Sequence, residues 1–364
     1  MDIPFYKFTF PSIIPLFAYN VKQKPNFILF LRGDFLYARF RIFIIHAAVM
    51  LVLPAGLILH GQQPVLPEEP MPLQPPAAEL SGSYRVLNHM TGTVSEVPVR
   101  DYLIGAVGAE MSASCEPEAL RAQVVACHTY AERIKAQNAA EPDSSLCGAD
   151  FSDDSSRYQA FFTEDDLRRF YGEDFDLYYA KLADAVDAAG SLLLCYEGEP
   201  IAAAFHAISS GETESAETVW GNALPYLVPV ESNADRSAPD YEETVSIPPD
   251  TLQKALCAQD PACSFPPDPA QWFTAPECSP SGTVLQIGCG SFTWSGQLLR
   301  AVLGLRSACF TVQYDGTQFL FTTHGFGHNV GMSQYGANAM AQEGCGFAEI
   351  LAHYYPETVL TPVK

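Results

Sequence analysis

One acidic side chain has the setting of a general acid. Glu110 follows the run YLIGAVGA and precedes Met111, so its neighbours in sequence are small or apolar. Burial among apolar groups disfavours a carboxylate and raises the pKa of the acid, which can then deliver a proton near neutral pH. The pattern makes Glu110 a candidate catalytic residue. The alternative is a surface glutamate at the end of a helix.

A second segment, residues 205–229, offers small polar side chains. His206 ends a predicted strand and is followed by the polar run of Ser209, Ser210, Gly211, Glu212 and Thr213. Short hydroxyl-bearing side chains after a strand suit a ligand rich in hydroxyl groups. An ordinary hairpin loop gives the same pattern equally well.

A third segment, residues 323–344, reads THGFGHNVGMSQYGANAMAQEG. Its glycines are spaced GxGxxxG, which does not meet the dinucleotide-binding fingerprint. His324 and His328 are four residues apart and would suit a metal pair on a helix, but the glycines disfavour a helix there. The histidines, with Ser333, Gln334 and Tyr335, are better suited to sugar recognition on a glycine-rich loop.

Helices precede antiparallel hairpins in the predicted secondary structure. The pattern predicts a hairpin over 83–100 that turns at Thr91 and Gly92, then helices over 101–111, 117–137 and 164–189. Strands are predicted at 192–196, 201–206, 283–293 and 308–322, with helices at 297–304, from 336 onward and at 347–354. This order favours an α+β fold, with mixed helices and antiparallel strands around a substrate cleft, over a doubly wound sheet.

Composition excludes some classes of protein. The chain has 364 residues, a length typical of about two domains. Its hydrophobic content of 48% is too high for a disordered chain. The formal net charge of -22 disfavours a nucleic-acid-binding function, because phosphate backbones repel such a chain.

Residues 42–59 contain no formally charged side chain, which meets the threshold of about 18 residues for a membrane-spanning helix. Arg39 and Arg41 precede them, so the positive-inside rule places the N-terminus in the cytoplasm. The sequence predicts a cytoplasmic tail at 1–41, which could instead be a mis-assigned start, an anchor at 42–60, and a stiff Pro-rich linker at 61–80. An extracytoplasmic domain follows at 81–364, with an irregular acidic insertion at 232–280. A cleaved signal peptide is the alternative to the anchor.

All ten cysteines follow the predicted anchor, where an extracytoplasmic location permits disulfides. Cys257, Cys263, Cys278 and Cys289 cluster in a Pro-rich stretch, and one or two bridges of undetermined connectivity fit there. Alternatively, several cysteines are small buried apolar residues. The lack of a CxxC pair disfavours a zinc ribbon.

Several stretches together resemble the family of stage II sporulation protein D, which carries the SpoIID/LytB domain. They are, in the family's order, YLIGAVGAEM with PEALRAQVVACHTYA, FHAISSGETESAETVWG with LPYLVPV, LLRAVLGLRS, GFGHNVGMSQYGANAMA and EILAHYYPET. The resemblance covers residues 83–364 apart from a variable middle. Agreement of so many motifs in order is far more specific than any one of them.

The resemblance implies a membrane-anchored lytic transglycosylase that degrades peptidoglycan during engulfment in endospore-forming bacteria. Such an enzyme cleaves the β-1,4 bond between MurNAc and GlcNAc in strands whose stem peptides an amidase has removed, and it leaves a 1,6-anhydro end. The family's catalytic glutamate corresponds to Glu110. One carboxyl group suffices because the sugar's C6 hydroxyl is the nucleophile, whereas typical glycosidases need two carboxyl groups.

The predicted partners are glycan strands, a cell-wall amidase and other engulfment membrane proteins, without a cofactor. The expected substrate contacts are Arg121, His128, His206, Ser209, Ser210, His324, His328, Ser333, Gln334 and Tyr335.

Two positions depart from the family pattern. His128 replaces an arginine of the family, and a histidine is shorter and ordinarily charged only below about pH 6.5, so weaker or more pH-dependent activity is expected. Some members bind a structural zinc after the long helix. Here Cys147 remains, but Arg157 and Tyr158 replace a His-Cys pair, so no zinc is predicted.

Two other functions remain open. A non-catalytic module that binds the cell wall or activates an amidase is the main alternative; Glu110 favours the enzyme, whereas His128 leaves room for the module. A histidine-based metalloenzyme would require metal in the purified protein at near-stoichiometric amounts.

Overall fold

The computed structural model describes residues 80–363. The predicted cytoplasmic tail, the predicted anchor and all but the last residue of the predicted linker lie outside the described residues. Within them, every helix is too short or too polar to cross a lipid bilayer. The predictions about residues 1–79 therefore stay predictions.

Helices and strands are interspersed along the described chain. The helices are α1 (Val99–Glu110), α2 (Pro117–Ala140), α3 (Glu164–Tyr171), α4 (Phe175–Ala189), α5 (Ala216–Trp220), α6 (Pro249–Gln259), α7 (Gly296–Leu303), α8 (Gln334–Gln342) and α9 (Phe347–Tyr354). The strands are β1 (Ser83–Leu87), β2 (Val94–Pro98), β3 (Phe151–Ser152), β4 (Leu192–Tyr196), β5 (Glu199–Pro200), β6 (Phe205–His206), β7 (Glu242–Ile247), β8 (Glu277–Cys278), β9 (Val284–Cys289), β10 (Phe292–Trp294), β11 (Phe310–Tyr314), β12 (Phe319–His324), β13 (Met332–Ser333) and β14 (Val359–Pro362).

Antiparallel pairing predominates among these strands. β1 and β2 form the predicted hairpin, with Ser83 opposite Pro98 and Leu87 opposite Val94, and β3 adds to β1 in parallel. β4 pairs antiparallel with β5 and β14, β12 lies between β11 and β7, and β9 lies between β8 and β10. The fold is thus a mixture of α-helices and mainly antiparallel strands, as predicted.

The largest of three hydrophobic cores in the described residues surrounds α2. Leu120, Val124, Cys127 and Ala131 lie on one apolar face of this helix and are fully buried. The helix begins at Pro117, whose fixed φ suits the first helical position. Because α2 packs against α1, α4, α8 and β4, it joins the early and late parts of the chain.

Two glycines inside α1 let a neighbouring segment approach the helix. A Cβ atom at Gly105 would lie 2.0 Å from the carbonyl oxygen of Phe162, and one at Gly108 would lie 2.6 Å from Leu167 Cδ2. A glycine costs a helix about 1 kcal/mol relative to alanine, and the close packing offsets that cost. These contacts hold residues 162–167 against the helix that ends in Glu110.

The prediction that residues 232–280 are irregular is wrong, because β7 and α6 lie within them. Both elements contribute to the second hydrophobic core. α6 buries Leu252 and Leu256, four residues apart on one face. β7 pairs with β12, with Ile247 opposite Phe319. β7 was not predicted because the acidic composition of residues 232–280 favoured an irregular segment.

Two other predicted elements are interrupted. The helix predicted over 164–189 consists of α3 and α4, because Gly172 adopts a left-handed φ of 58° between them. The strand predicted over 201–206 is reduced to β6. Tight turns precede it, in which the backbone amides of Ala203 and Ala204 donate to the carbonyl oxygens two residues earlier.

All ten cysteines are free thiols in the structure. Cys263 and Cys289 are buried in the second core, and the Cys257 thiol donates to the carbonyl oxygen of Cys263 at 3.4 Å. These positions fit the alternative that treats the cysteines as small apolar residues.

Candidate active site

Glu110 is the last residue of α1, and its side chain is half-buried. Oε1 accepts a hydrogen bond of 2.7 Å from the backbone N–H of Ala160, and no described residue donates to Oε2. Burial raises the pKa of Glu110 from 4.5 to about 7, and the hydrogen bond from Ala160 opposes part of this effect. Near neutral pH, the protonated acid and the carboxylate of Glu110 are therefore both populated.

The glycine-rich third segment meets α1 at this residue. Gln334, the first residue of α8, donates from Nε2 to the carbonyl oxygen of Glu110 at 3.0 Å and to Gln123 Oε1 at 3.3 Å. Nearby, the backbone N–H of Glu116 donates to Asn338 Oδ1 at 2.7 Å. Gln334 and Glu110 are 224 positions apart in sequence, and the structure brings them together. Gln123, a buried polar residue among apolar ones in α2, was not predicted.

The glycines of the third segment make room for the backbone of the second segment and do not face open space. β6 and β13 pair in parallel, with Ser333 opposite His206. A Cβ atom at Gly331, which has a φ of 71°, would lie 2.0 Å from the carbonyl oxygen of Ala204. One at Gly325 would lie 2.8 Å from the carbonyl oxygen of Ile208. The glycines therefore serve close contact between two parts of the chain.

A buried carboxylate joins the two segments. Asp235 is fully buried; Ser333 Oγ donates to its Oδ1 at 2.8 Å, and Ser209 Oγ donates to its Oδ2. Burial raises the pKa of Asp235, whereas these hydrogen bonds lower it. Both serines were predicted to contact substrate, but their hydroxyl groups are buried and bind Asp235. Asp235 was not predicted, because no pattern marks a lone acid in an acidic region.

Asn329 forms a second link between the same segments. It adopts a left-handed φ of 68°, which asparagine tolerates better than most residues. Its Oδ1 accepts from the backbone N–H of Ser210 at 3.1 Å, and its Nδ2 donates to the carbonyl oxygen of Glu212 at 3.0 Å. Tyr335, also in the third segment, is half-buried, and its backbone N–H donates to the carbonyl oxygen of Ala207 at 3.0 Å.

His206 and His328 form a buried pair whose ring centroids are 5.6 Å apart. His206 Nδ1 lies 3.1 Å from the carbonyl oxygen of Val330, and the backbone N–H of Val330 donates to His328 Nδ1 at 3.1 Å. Burial lowers the pKa of His206 to about 4 and that of His328 well below its usual 6.5. Both rings are therefore neutral at pH 7. The Trp220 ring, which was not predicted, lies 5.4 Å from that of His328.

The structure does not join His324 to His328 as a metal pair. His324 is half-buried at the end of β12, where its Nε2 lies 3.2 Å from Glu242 Oε2. Among residues 80–363, no group of three or more His, Cys, Asp or Glu side chains has the arrangement of a metal site.

The two predicted contacts on α2 have other partners. His128 is buried, with Nδ1 at 2.6 Å from the carbonyl oxygen of Gly190 and Nε2 at 3.8 Å from Glu132 Oε1. Arg121 is half-buried and pairs with Glu118. No described hydrogen bond joins either residue to Glu110.

Comparison with known proteins finds relatives over most of this chain. A family model described as stage II sporulation protein matches residues 88–196. Stage II sporulation protein D of Bacillus amyloliquefaciens is 34% identical over 295 residues, which cover 81% of this chain and 80% of the relative. Its counterpart in Bacillus subtilis is 35% identical over 280 residues, covering 76% of this chain and 78% of the relative. The amidase enhancer of Bacillus subtilis is 27% identical over 310 residues, covering 71% of this chain and 40% of the enhancer. This chain belongs to the stage II sporulation protein D family.

Proposed function

We propose that this sporulation protein is a lytic transglycosylase of peptidoglycan. Its substrate is the glycan strand without stem peptides, and the reaction cleaves the β-1,4 bond between MurNAc and GlcNAc to leave a 1,6-anhydro end. The observation that carries the proposal is Glu110, a half-buried carboxyl group with a pKa of about 7 that borders Gln334. The predicted anchor would hold the protein in the cell membrane with this domain outside the cytoplasm, facing its substrate.

One carboxyl group with this pKa can perform both proton transfers. In its acid form, Glu110 gives a proton to the glycosidic O4 as the bond from O4 to C1 of MurNAc breaks. The resulting carboxylate takes the proton of the C6 hydroxyl while O6 bonds to C1. The second step closes the anhydro ring and restores the acid. A pKa close to the working pH allows the same group to act in both directions.

The surroundings of Glu110 support this role. The backbone N–H of Ala160 holds Oε1 at 2.7 Å, which leaves Oε2 for the substrate. Gln334 fixes α8 beside the carbonyl oxygen of Glu110, and the next residue, Tyr335, is half-buried and suited to contact the glycan. A carboxyl group held in one orientation transfers a proton at lower entropic cost than a mobile one.

Digestion of denuded glycan strands tests the proposal. The full chain is expected to produce 1,6-anhydro ends, which mass spectrometry detects by the loss of one water relative to hydrolysis products. Glu110→Gln should yield none. Asp101→Asn removes an exposed carboxyl group from the same helix and should retain activity. Anhydro ends formed by Glu110→Gln, or their absence with the wild type, would contradict the proposal.

Activation of a cell-wall amidase is the second candidate function, favoured by the similarity to the amidase enhancer. In that role the protein would accelerate an amidase without cleaving glycan itself. The wild type and Glu110→Gln would then raise the amidase rate equally. The amidase and other engulfment membrane proteins remain proposed partners.

A further inference from the structure

Arg300 on α7 carries a positive charge that no described carboxylate neutralises. Its Nε donates to the carbonyl oxygen of Arg306 at 3.2 Å, and within residues 80–363 no Asp or Glu lies within ion-pair distance of its guanidinium. Burial lowers the pKa of Arg300 from 12.5 to about 10, so the group stays charged at neutral pH. A largely desolvated cation without a partner is costly, and an anionic ligand would reduce that cost.

The guanidinium lies beside the glycine-rich segment. The carbonyl oxygen of Arg306 that accepts from Arg300 also accepts from the backbone N–H of Gly327 at 3.0 Å. His328 is the next residue. After the larger effect of burial, the charge of Arg300 contributes to the low pKa of both His206 and His328. Since both imidazoles are neutral at pH 7, the positive charge here resides on Arg300.

An aromatic ring and a small cavity border the same place. The indole of Trp220 lies 5.4 Å from the ring of His328. A water-sized cavity is lined by His328 and by Gln297, which precedes Arg300 by one turn of α7. A guanidinium binds a carboxylate through two parallel hydrogen bonds, and an indole offers a flat apolar surface with a polar edge. This combination suits a sugar that bears a carboxylate.

We propose that Arg300, His328 and Trp220 form a subsite for a carboxylate-bearing sugar ring. The inference rests on the proposed function and names the group that is recognised, which is the lactyl carboxylate of MurNAc. A stem peptide is attached to that carboxyl group through an amide, so the negative charge is present only after the peptide has been removed. Arg300 therefore selects denuded strands over strands that carry peptides.

Binding of the full chain to two forms of denuded strand tests the subsite. One form keeps its lactyl carboxylates, and in the other they are converted to carboxamides. The wild type is expected to bind the carboxylate form about 10- to 100-fold more tightly, the usual effect of a charge-assisted hydrogen bond. Arg300→Gln should lose this preference and bind the amidated form as the wild type does. Lys254→Gln removes an exposed positive charge from α6 and should keep the preference.

The outcomes separate the two proposals. Equal weakening of both strand forms in Arg300→Gln would assign Arg300 a structural role and overturn the subsite. A preference that survives in Arg300→Gln, or that is missing in the wild type, would also overturn it. In those cases the proposed function stands as long as the wild type cleaves the strands. Failure of the wild type to bind or cleave either form overturns the proposed function and the subsite together.

Discussion

Replacing Glu110 by glutamine should change how the stability of the protein depends on pH. Glutamine keeps the size of the side chain and an oxygen that accepts the hydrogen bond from Ala160, but it does not titrate. In the wild type, burial raises the pKa of Glu110 from 4.5 to about 7, so the folded state holds this proton more tightly than the unfolded state. The stability of the folded state should therefore fall as pH rises from about 4.5 to about 7 and then level off.

The size of the effect follows from the two pKa values. Their difference corresponds to about 3 kcal/mol of unfolding free energy. Partial contact of the side chain with water lowers the expected effect to about 2–3 kcal/mol. Below pH 4.5 both states of the wild type are protonated at this group, so the group contributes its full stability there. Relative to the wild type, Glu110→Gln should gain about 2–3 kcal/mol between pH 4.5 and pH 8.

Urea unfolding of both proteins at intervals from pH 4.5 to pH 8 measures this difference. Asp101→Asn is the control, because it removes an exposed carboxyl group from the same helix and should leave the pH dependence nearly unchanged. A difference between Glu110→Gln and the wild type that stays constant with pH would refute the argument that Glu110 is a desolvated acid. It would also remove the physical basis for its catalytic role.

Three further substitutions test the structure around the site. Asp235→Asn leaves one of the two serine hydroxyl groups without its carboxylate acceptor and should lower the unfolding free energy by about 1–3 kcal/mol; an unchanged urea midpoint would contradict the link described here. Gly331→Ala should destabilise more than Gly344→Ala, because both have positive φ but only the first would place a Cβ against a carbonyl oxygen, at 2.0 Å. Their urea midpoints compare the two, and equal losses would mean that backbone strain alone matters. His128→Arg should lower stability by about 2 kcal/mol or more, since it forces a larger charged group into a buried site. Faster glycan cleavage by His128→Arg would instead show that the family arginine is still accommodated.

Local sequence patterns predicted the elements that form between residues close together in the chain. α2 begins at Pro117 as predicted and buries one apolar face, and the β1–β2 hairpin forms because its turn lies between the two strands. β7 and the β6–β13 pair were not predicted. β7 lies in the acidic stretch whose composition favoured an irregular segment, and β6 and β13 are two residues each, too short to show an alternating pattern.

The candidate site, too, depends partly on local sequence and partly on contacts between residues distant in the chain. Position at the end of an apolar helix made Glu110 a candidate, and the family resemblance singled it out, but its partners Ala160 and Gln334 are 50 and 224 positions away. Ser209 and Ser333 were expected to contact substrate because polar residues beside glycines suit a ligand. Buried polar groups need hydrogen-bond partners, and a sequence does not reveal whether the partner is a ligand or a carboxylate such as Asp235.

The buried and the half-buried side chains of the second and third segments have different roles. Ser209, Ser333 and His206 are fully buried and tie the second and third segments together. Residues at the surface of the same two segments, such as Tyr335 and Trp220, are only half-buried and can reach a ligand. Because the buried group fixes the segments, and because Gln334 fixes the third segment to Glu110, these surface side chains have defined positions relative to the candidate acid. A rigid inner layer of this kind gives the preorganisation that the proposed glycan cleavage by a single carboxyl group would require.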